Sequence, residues 1–167
     1  SKANMSTLEL GRIICDSFVT ACSTSAAGQK TTLSLVDLGE LKATLPETLT
    51  SFSTSVTQMV QGGSYQQIAT ARSGAREFAA SSQIDQVDMV DLANRIGTDE
   101  AEALAAAIRG AVKYNRSGSL TGAYGLSIYF PYRRTSNVNK AVSINNAIDE
   151  IDDSYSACIR AFAAMGQ

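Results

Sequence analysis

The chain has 167 residues, 44% of them hydrophobic and 18% charged, and 14 basic against 16 acidic side chains give a net charge of −2. That is enough for one compact domain, the balance excludes a disordered chain, and no basic field exists to attract nucleic acid or anionic lipid. There is no histidine, so the chain cannot by itself supply the base that activates the nucleophile of a serine or cysteine hydrolase.

No apolar run approaches the roughly 20 residues needed to span a bilayer. The opening residues, Ser1 to Met5, lack the apolar core of a signal peptide, as expected of either a mature secreted chain or an internal fragment. Ser6-Thr-Leu-Glu9 is a capping box, and a helix is expected from there to about Thr24. Leu10, Ile13, Ile14, Phe18 and Ala21 recur at helical spacing and predict its buried face. Cys15 and Cys22 share a face of that helix but stand too far apart to bond each other. With Cys158 they make an odd set whose spacing fits no metal motif, and they read as small buried apolar residues.

Residues 31–38, Thr-Thr-Leu-Ser-Leu-Val-Asp-Leu, predict a first strand. Leu33 and Leu35 lie on one side and Val36 and Leu38 on the other, the pattern of a strand covered on both faces. Asp37 stands at its carboxyl end, where α/β sheets place ligand contacts. It is the one substrate-contact candidate, against the plainer role of capping the next helix. Residues 39–61 read as a helix interrupted by Pro46 and ended by Gly62-Gly63. Ser64 is expected to cap a third helix with Tyr65, Ile68, Ala71, Ala75 and Phe78 inward. The stretch 85–96 is helical in its second half and stops at Gly97. Thr98 opens a further helix whose acidic first turn suits the helix dipole.

A polar loop over 117–125 leads to the second strand, residues 126–131, which ends where Pro131 cannot donate to a ladder. Arg133-Arg134 reads as a solvated loop pair. Ser143 is expected to cap a last helix with Ile144, Ile148, Ile151, Tyr155, Ile159, Phe162 and Met165 inward. The acidic run Asp149-Glu150-Ile151-Asp152-Asp153 has no glycine for a calcium loop and reads as a solvated helix face. Tyr114, Tyr124, Tyr129 and Tyr132 flank the second strand and read as packing residues. Two strands make a poor sheet, so an α/β chain with so few strands predicts a sheet completed by strands from elsewhere.

The segment Gly122-Ala-Tyr-Gly-Leu-Ser-Ile-Tyr-Phe-Pro131 resembles a late strand of the clostripain (C11) cysteine peptidases of the caspase-like clan. Leu10-Gly-Arg-Ile-Ile-Cys-Asp-Ser-Phe18 and Thr32-Leu-Ser-Leu-Val-Asp-Leu38 are similar to the family's helix and strand beyond the catalytic cysteine. Ala71-Arg72 with Phe78, Val87-Asp-Met-Val-Asp-Leu92 and Ala111-Val-Lys-Tyr114 follow in the family's order. The resemblance implies that residues 1–167 are the C-terminal half of a peptidase domain: the last two strands of a caspase-like sheet, about 31–38 and 126–131, with surrounding helices and a helical C-terminal subdomain. It implies a secreted or cell-surface bacterial endopeptidase that cleaves after Arg or Lys, with the histidine and cysteine upstream. Its partners would be that missing N-terminal half and protein or peptide substrates. No catalytic residue, cofactor or metal is carried over to this chain, although calcium belongs to some members of the family. A non-catalytic homologue that binds or scaffolds is the alternative, and a free-standing helical interaction domain is a third reading.

Overall fold

A computed structural model describes residues 5–139 and 153–166. The elements follow the chain as α1 (Thr7–Ser25), β1 (Leu33–Val36), α2 (Leu38–Met59), α3 (Tyr65–Gly74), β2 (Glu77–Phe78), β3 (Gln86–Asp88), α4 (Met89–Ile96), α5 (Asp99–Ala111), β4 (Val112–Arg116), β5 (Ser127–Tyr129) and α6 (Asp153–Met165). The architecture is mixed α/β. β1 pairs antiparallel with β4, and β2, β3 and β5 form a second antiparallel sheet in that order.

The helix boundaries follow local chemistry. Ser6 and Glu9 satisfy each other's amides in the expected capping box. Thr98 accepts from the Ala101 amide at the start of α5, and Gly97, with φ +71°, closes α4 in the left-handed region. Pro46 lies inside α2, which continues past it to Met59. There the chain widens into a π turn over Val60–Ser64, and Gly63 makes the break to α3 with φ +89°. Ser64 stands at the start of α3, but its side chain makes no capping bond.

The main core joins α2, α3, α4, α5 and α6 with the second sheet. Phe52, Val56, Ile68, Val90, Leu92, Leu104, Ile108, Phe130, Ile159 and Phe162 are among its nearly inaccessible residues. α2 packs against both α5 and α6, and α4 against both α3 and α5. Phe162 of α6 meets Phe130 edge to face at 5.0 Å, the arrangement that ring quadrupoles favour, and meets Tyr65 at 5.0 Å with the rings tilted by 35°.

Several expectations are corrected. The chain supplies partners for both anticipated strands: β4 pairs with β1 and β3 pairs with β5. Short strands directly preceding or following helices, Gln86–Asp88 and Val112–Arg116, show no alternation long enough to separate them from the helical pattern. β1 is shorter than expected because Asp37 turns the chain into α2; Leu38 is then 74% exposed at a helix start, and the β1 residues are only half-buried. Phe78 belongs to β2 rather than to the inner face of α3. Met165 of α6 is exposed. Ser143, Ile144, Ile148, Ile151 and most of the acidic run 149–153 lie outside the described residues.

The largest correction concerns α1. It packs on the β1–β4 ribbon through Gly11, Cys15 and Val19, a row four residues apart that rises along one side of the helix. A Cβ on Gly11 would come within 2.6 Å of Leu35 on β1. On the β4 side, Tyr114 donates its hydroxyl to Asp16 at 2.8 Å, Arg116 pairs with Asp16 at 3.4 Å, and Arg12 lies over the Tyr114 ring at 5.5 Å. Leu10, Ile13, Ile14 and Phe18, expected inside, are 51%, 48%, 54% and 42% exposed. The helix is apolar on two sides, the ribbon takes one, and no described residue covers the other.

Candidate functional site

Asp37 is placed at the end of β1. Its amide donates to the Ala111 carbonyl at 2.8 Å and its Oδ1 accepts from the Glu40 amide at 3.0 Å. The accepted backbone bond holds its carboxyl below the usual aspartate range. The carboxylate thus caps α2, an occupation that leaves it at the surface beside the Lys113–Glu40 pair. The sequence motifs around it do not converge on it.

The three cysteines do not come together. Cys15 is buried under α1, Cys22 is half-buried two turns further on, and Cys158 is buried in α6; all are free thiols. Burial pushes the Cys158 thiol up to about 12, the opposite of what a nucleophile needs. Among the described residues no group of three or more His, Cys, Asp or Glu side chains is arranged to hold a metal ion. The four tyrosines also diverge: Tyr114 bonds to Asp16, Tyr124 lies beneath Arg109, Tyr132 lies beneath Arg72, and the Tyr129 hydroxyl is buried without a partner among the described residues.

Sequence reasoning missed the most densely charged buried site. Arg72 of α3 is inaccessible to solvent. Its Nε donates to the Phe130 carbonyl at 2.9 Å, one terminal nitrogen reaches Glu77 at 3.4 Å and the other Asp85 at 3.3 Å. The face of the guanidinium rests on Tyr132, 5.3 Å from the ring centre. Asp85, also buried, accepts from the amides of Arg133 and Arg134 at 3.1 Å each, and holds φ +56° to do so. Glu77 in turn pairs with Arg133 at 3.3 Å. One cation therefore fastens the end of β5 and the 132–134 loop to the β2–β3 hairpin. The signal that could have found it is Arg72 itself: it lies one residue from Ala71 on the inward arc of α3, where a charge needs a partner.

A second carboxylate, Asp88, performs the same service nearby. Its Oδ1 accepts from the amides of Val90 and Asp91 at 3.0 Å each, and its Oδ2 from the Tyr124 amide at 2.7 Å. It caps α4 and holds the polar 121–125 loop against that helix. Both carboxylates accept from backbone amides of the chain, so the arrangement fixes the loops around them.

What remains open is the outer side of α1 and the sheet beside it. Leu10, Ile14 and Phe18 form a row with Ile13 adjoining, and β1 has only β4 as a partner, so its other edge is unpaired among the described residues. Compared with known proteins, the chain matches no family model, and no curated protein and no solved structure is similar to it.

Proposed function

We propose that this chain is the C-terminal half of a clostripain-like cysteine endopeptidase that cleaves after arginine or lysine. In this reading it completes a caspase-like sheet and its helical cover while the histidine and cysteine come from the preceding part of the protein. The observation that carries the reading is the bare apolar side of α1 next to the unpaired edge of β1. A helix whose apolar surface runs well past the face that the ribbon covers belongs inside a layered protein, and an unpaired strand edge is a template for another strand. The ordered resemblance running from Leu10–Phe18 to Gly122–Pro131 names the kind of protein that would supply both. The absence of histidine and the raised thiol of Cys158 support assigning the chemistry to another segment.

The role of this half is then positioning. α1 and β1 face the catalytic segment, and the Arg72 and Asp88 networks set the loop after β5 and the 121–125 loop before it. Asp37 remains the substrate-contact candidate, although its capping bond accounts for its carboxylate. Calcium, if the whole enzyme uses it, would be held by residues elsewhere. The test is hydrolysis of fluorogenic Arg and Lys peptides by the longer polypeptide that includes the upstream region, with and without a thiol alkylator. Turnover abolished by alkylation is the expected result; a folded, inert longer protein would favour a non-catalytic scaffold instead.

A further inference from the structure

A polar groove runs along α3 on a surface apart from the seam at α1. One part of it is an open cleft of about 420 Å³ between the end of α3, α4 and the 121–124 loop. A second cleft of about 400 Å³ continues along α3 past Gln66, Gln67 and Thr70. Arg95 lines both. From Gln66 to Gly74 the helix rises roughly 12 Å, the length of about four residues of extended chain.

The groove carries arginine donors that its neighbouring acids engage only in part. Arg95 gives only its Nε to Asp91, at 3.2 Å, and its two terminal amino groups have no acceptor among the described residues. Arg76 bonds to Thr121 through Nε and one amino group, which leaves the other. The Asp91 oxygen that Arg95 addresses already accepts from the Arg76 amide at 2.7 Å. Glu77, the other acid in the wall, is held by Arg72 and Arg133. Gly74 makes room for the arrangement: a Cβ there would come within 2.8 Å of an Arg95 amino nitrogen. Arg95 can therefore lie against bare backbone with its open fork toward the groove.

We propose that this groove binds a short acidic stretch of polypeptide, with a carboxylate bidentate on Arg95 and a second within reach of Arg76. The planar fork matches a carboxylate with two parallel bonds, and the glutamines along α3 match the amides of an extended chain. The net charge of −2 provides no long-range field to draw in a nucleic acid. The site stands on the groove alone and does not depend on the peptidase reading.

The test is fluorescence anisotropy of the 167-residue chain with labelled hexaglutamate, and with hexaglutamine as the isosteric neutral probe. Hexaglutamate should bind at least tenfold more tightly than hexaglutamine at low salt and weaken in 0.5 M NaCl, where charges are screened within a few ångströms. Arg95→Gln should cost at least fivefold, and Gly74→Ala, which displaces the guanidinium without removing it, should also weaken binding. Thermal melts check that each variant is folded; Gly74→Ala alone carries the test if Arg95→Gln does not fold. Equal binding of the two peptides, binding untouched by the variants, or displacement of hexaglutamate by equimolar inorganic phosphate would each overturn the proposal, the last by reducing the groove to a small-anion site.

Discussion

Arg72 and Asp85 face each other across 3.3 Å, and neither side chain reaches solvent. The pair joins α3 to the residue just before β3, and through the Arg133 and Arg134 amides it also sets the loop after β5. Breaking a buried pair from one side leaves the other charge stranded. Arg72→Ala should therefore cost about 3–5 kcal/mol in urea unfolding. Arg72→Lys should recover little of it, because three nitrogens of the fork address Phe130, Glu77 and Asp85 separately and an ammonium cannot. A lysine variant as stable as the parent would show that the network contributes charge alone.

The bare side of α1 makes an opposite prediction for two rows of one helix. Ile14→Glu with Leu10→Lys should change the stability of the isolated chain by no more than about 0.5 kcal/mol, since both sites are exposed. Val19→Asp, on the ribbon side, buries an unpaired charge and should unfold α1 from the ribbon. Light scattering and binding of an apolar dye should find the parent self-associating and the double variant monomeric. A monomeric parent that excludes the dye would mean that the stripe is covered in solution.

Much of the helical layout was legible in the sequence because caps and glycines are local signals. Ser6 with Glu9, Thr98 and Gly97 mark the ends where the structure puts them. The short strands β2, β3 and β4 were not legible. Two to five residues carry too little periodicity, and their pairing depends on partners up to 83 positions away, as between Leu33 and Arg116. The burial of α1 was misread for a related reason: spacing shows which residues share a face but not whether anything meets it. Asp37 was legible as a cap, whereas the Arg72 network needed the fold to bring Asp85 and the Phe130 carbonyl to it.

Thiol reactivity follows from burial. In the native chain at pH 8, iodoacetamide should modify Cys22 first and leave Cys158 untouched until the chain unfolds. The Cys158 thiol is held neutral up to about 12, against about 9 in the unfolded chain. A folded-state value that is raised means the unfolded chain loses its proton first, so this residue's contribution to stability declines as pH rises above 9. Mass spectrometry of labelled peptides checks the order; early labelling of Cys158 would contradict the packing of α6.

At Asp37 the direction is reversed. Its folded carboxyl titrates below the ordinary value of about 3.9 because the Glu40 amide favours the charged form. Its support for α2 is present above that value and fades as pH falls through it. Asp37→Ala should lower the melting temperature slightly at pH 7 and make no difference near pH 2, and Asp37→Asn should restore part of the cap. A variant equal to the parent at pH 7 would show that the capping bond does not hold α2.

The most direct measurement compares peptide hydrolysis by the pure 167-residue chain with hydrolysis by the longer polypeptide carrying the upstream region, each with Arg and Lys fluorogenic substrates and a thiol alkylator as control. The account predicts no turnover by the first and alkylator-sensitive turnover by the second. Hydrolysis by the histidine-free chain alone, or a folded longer protein with none, would contradict it.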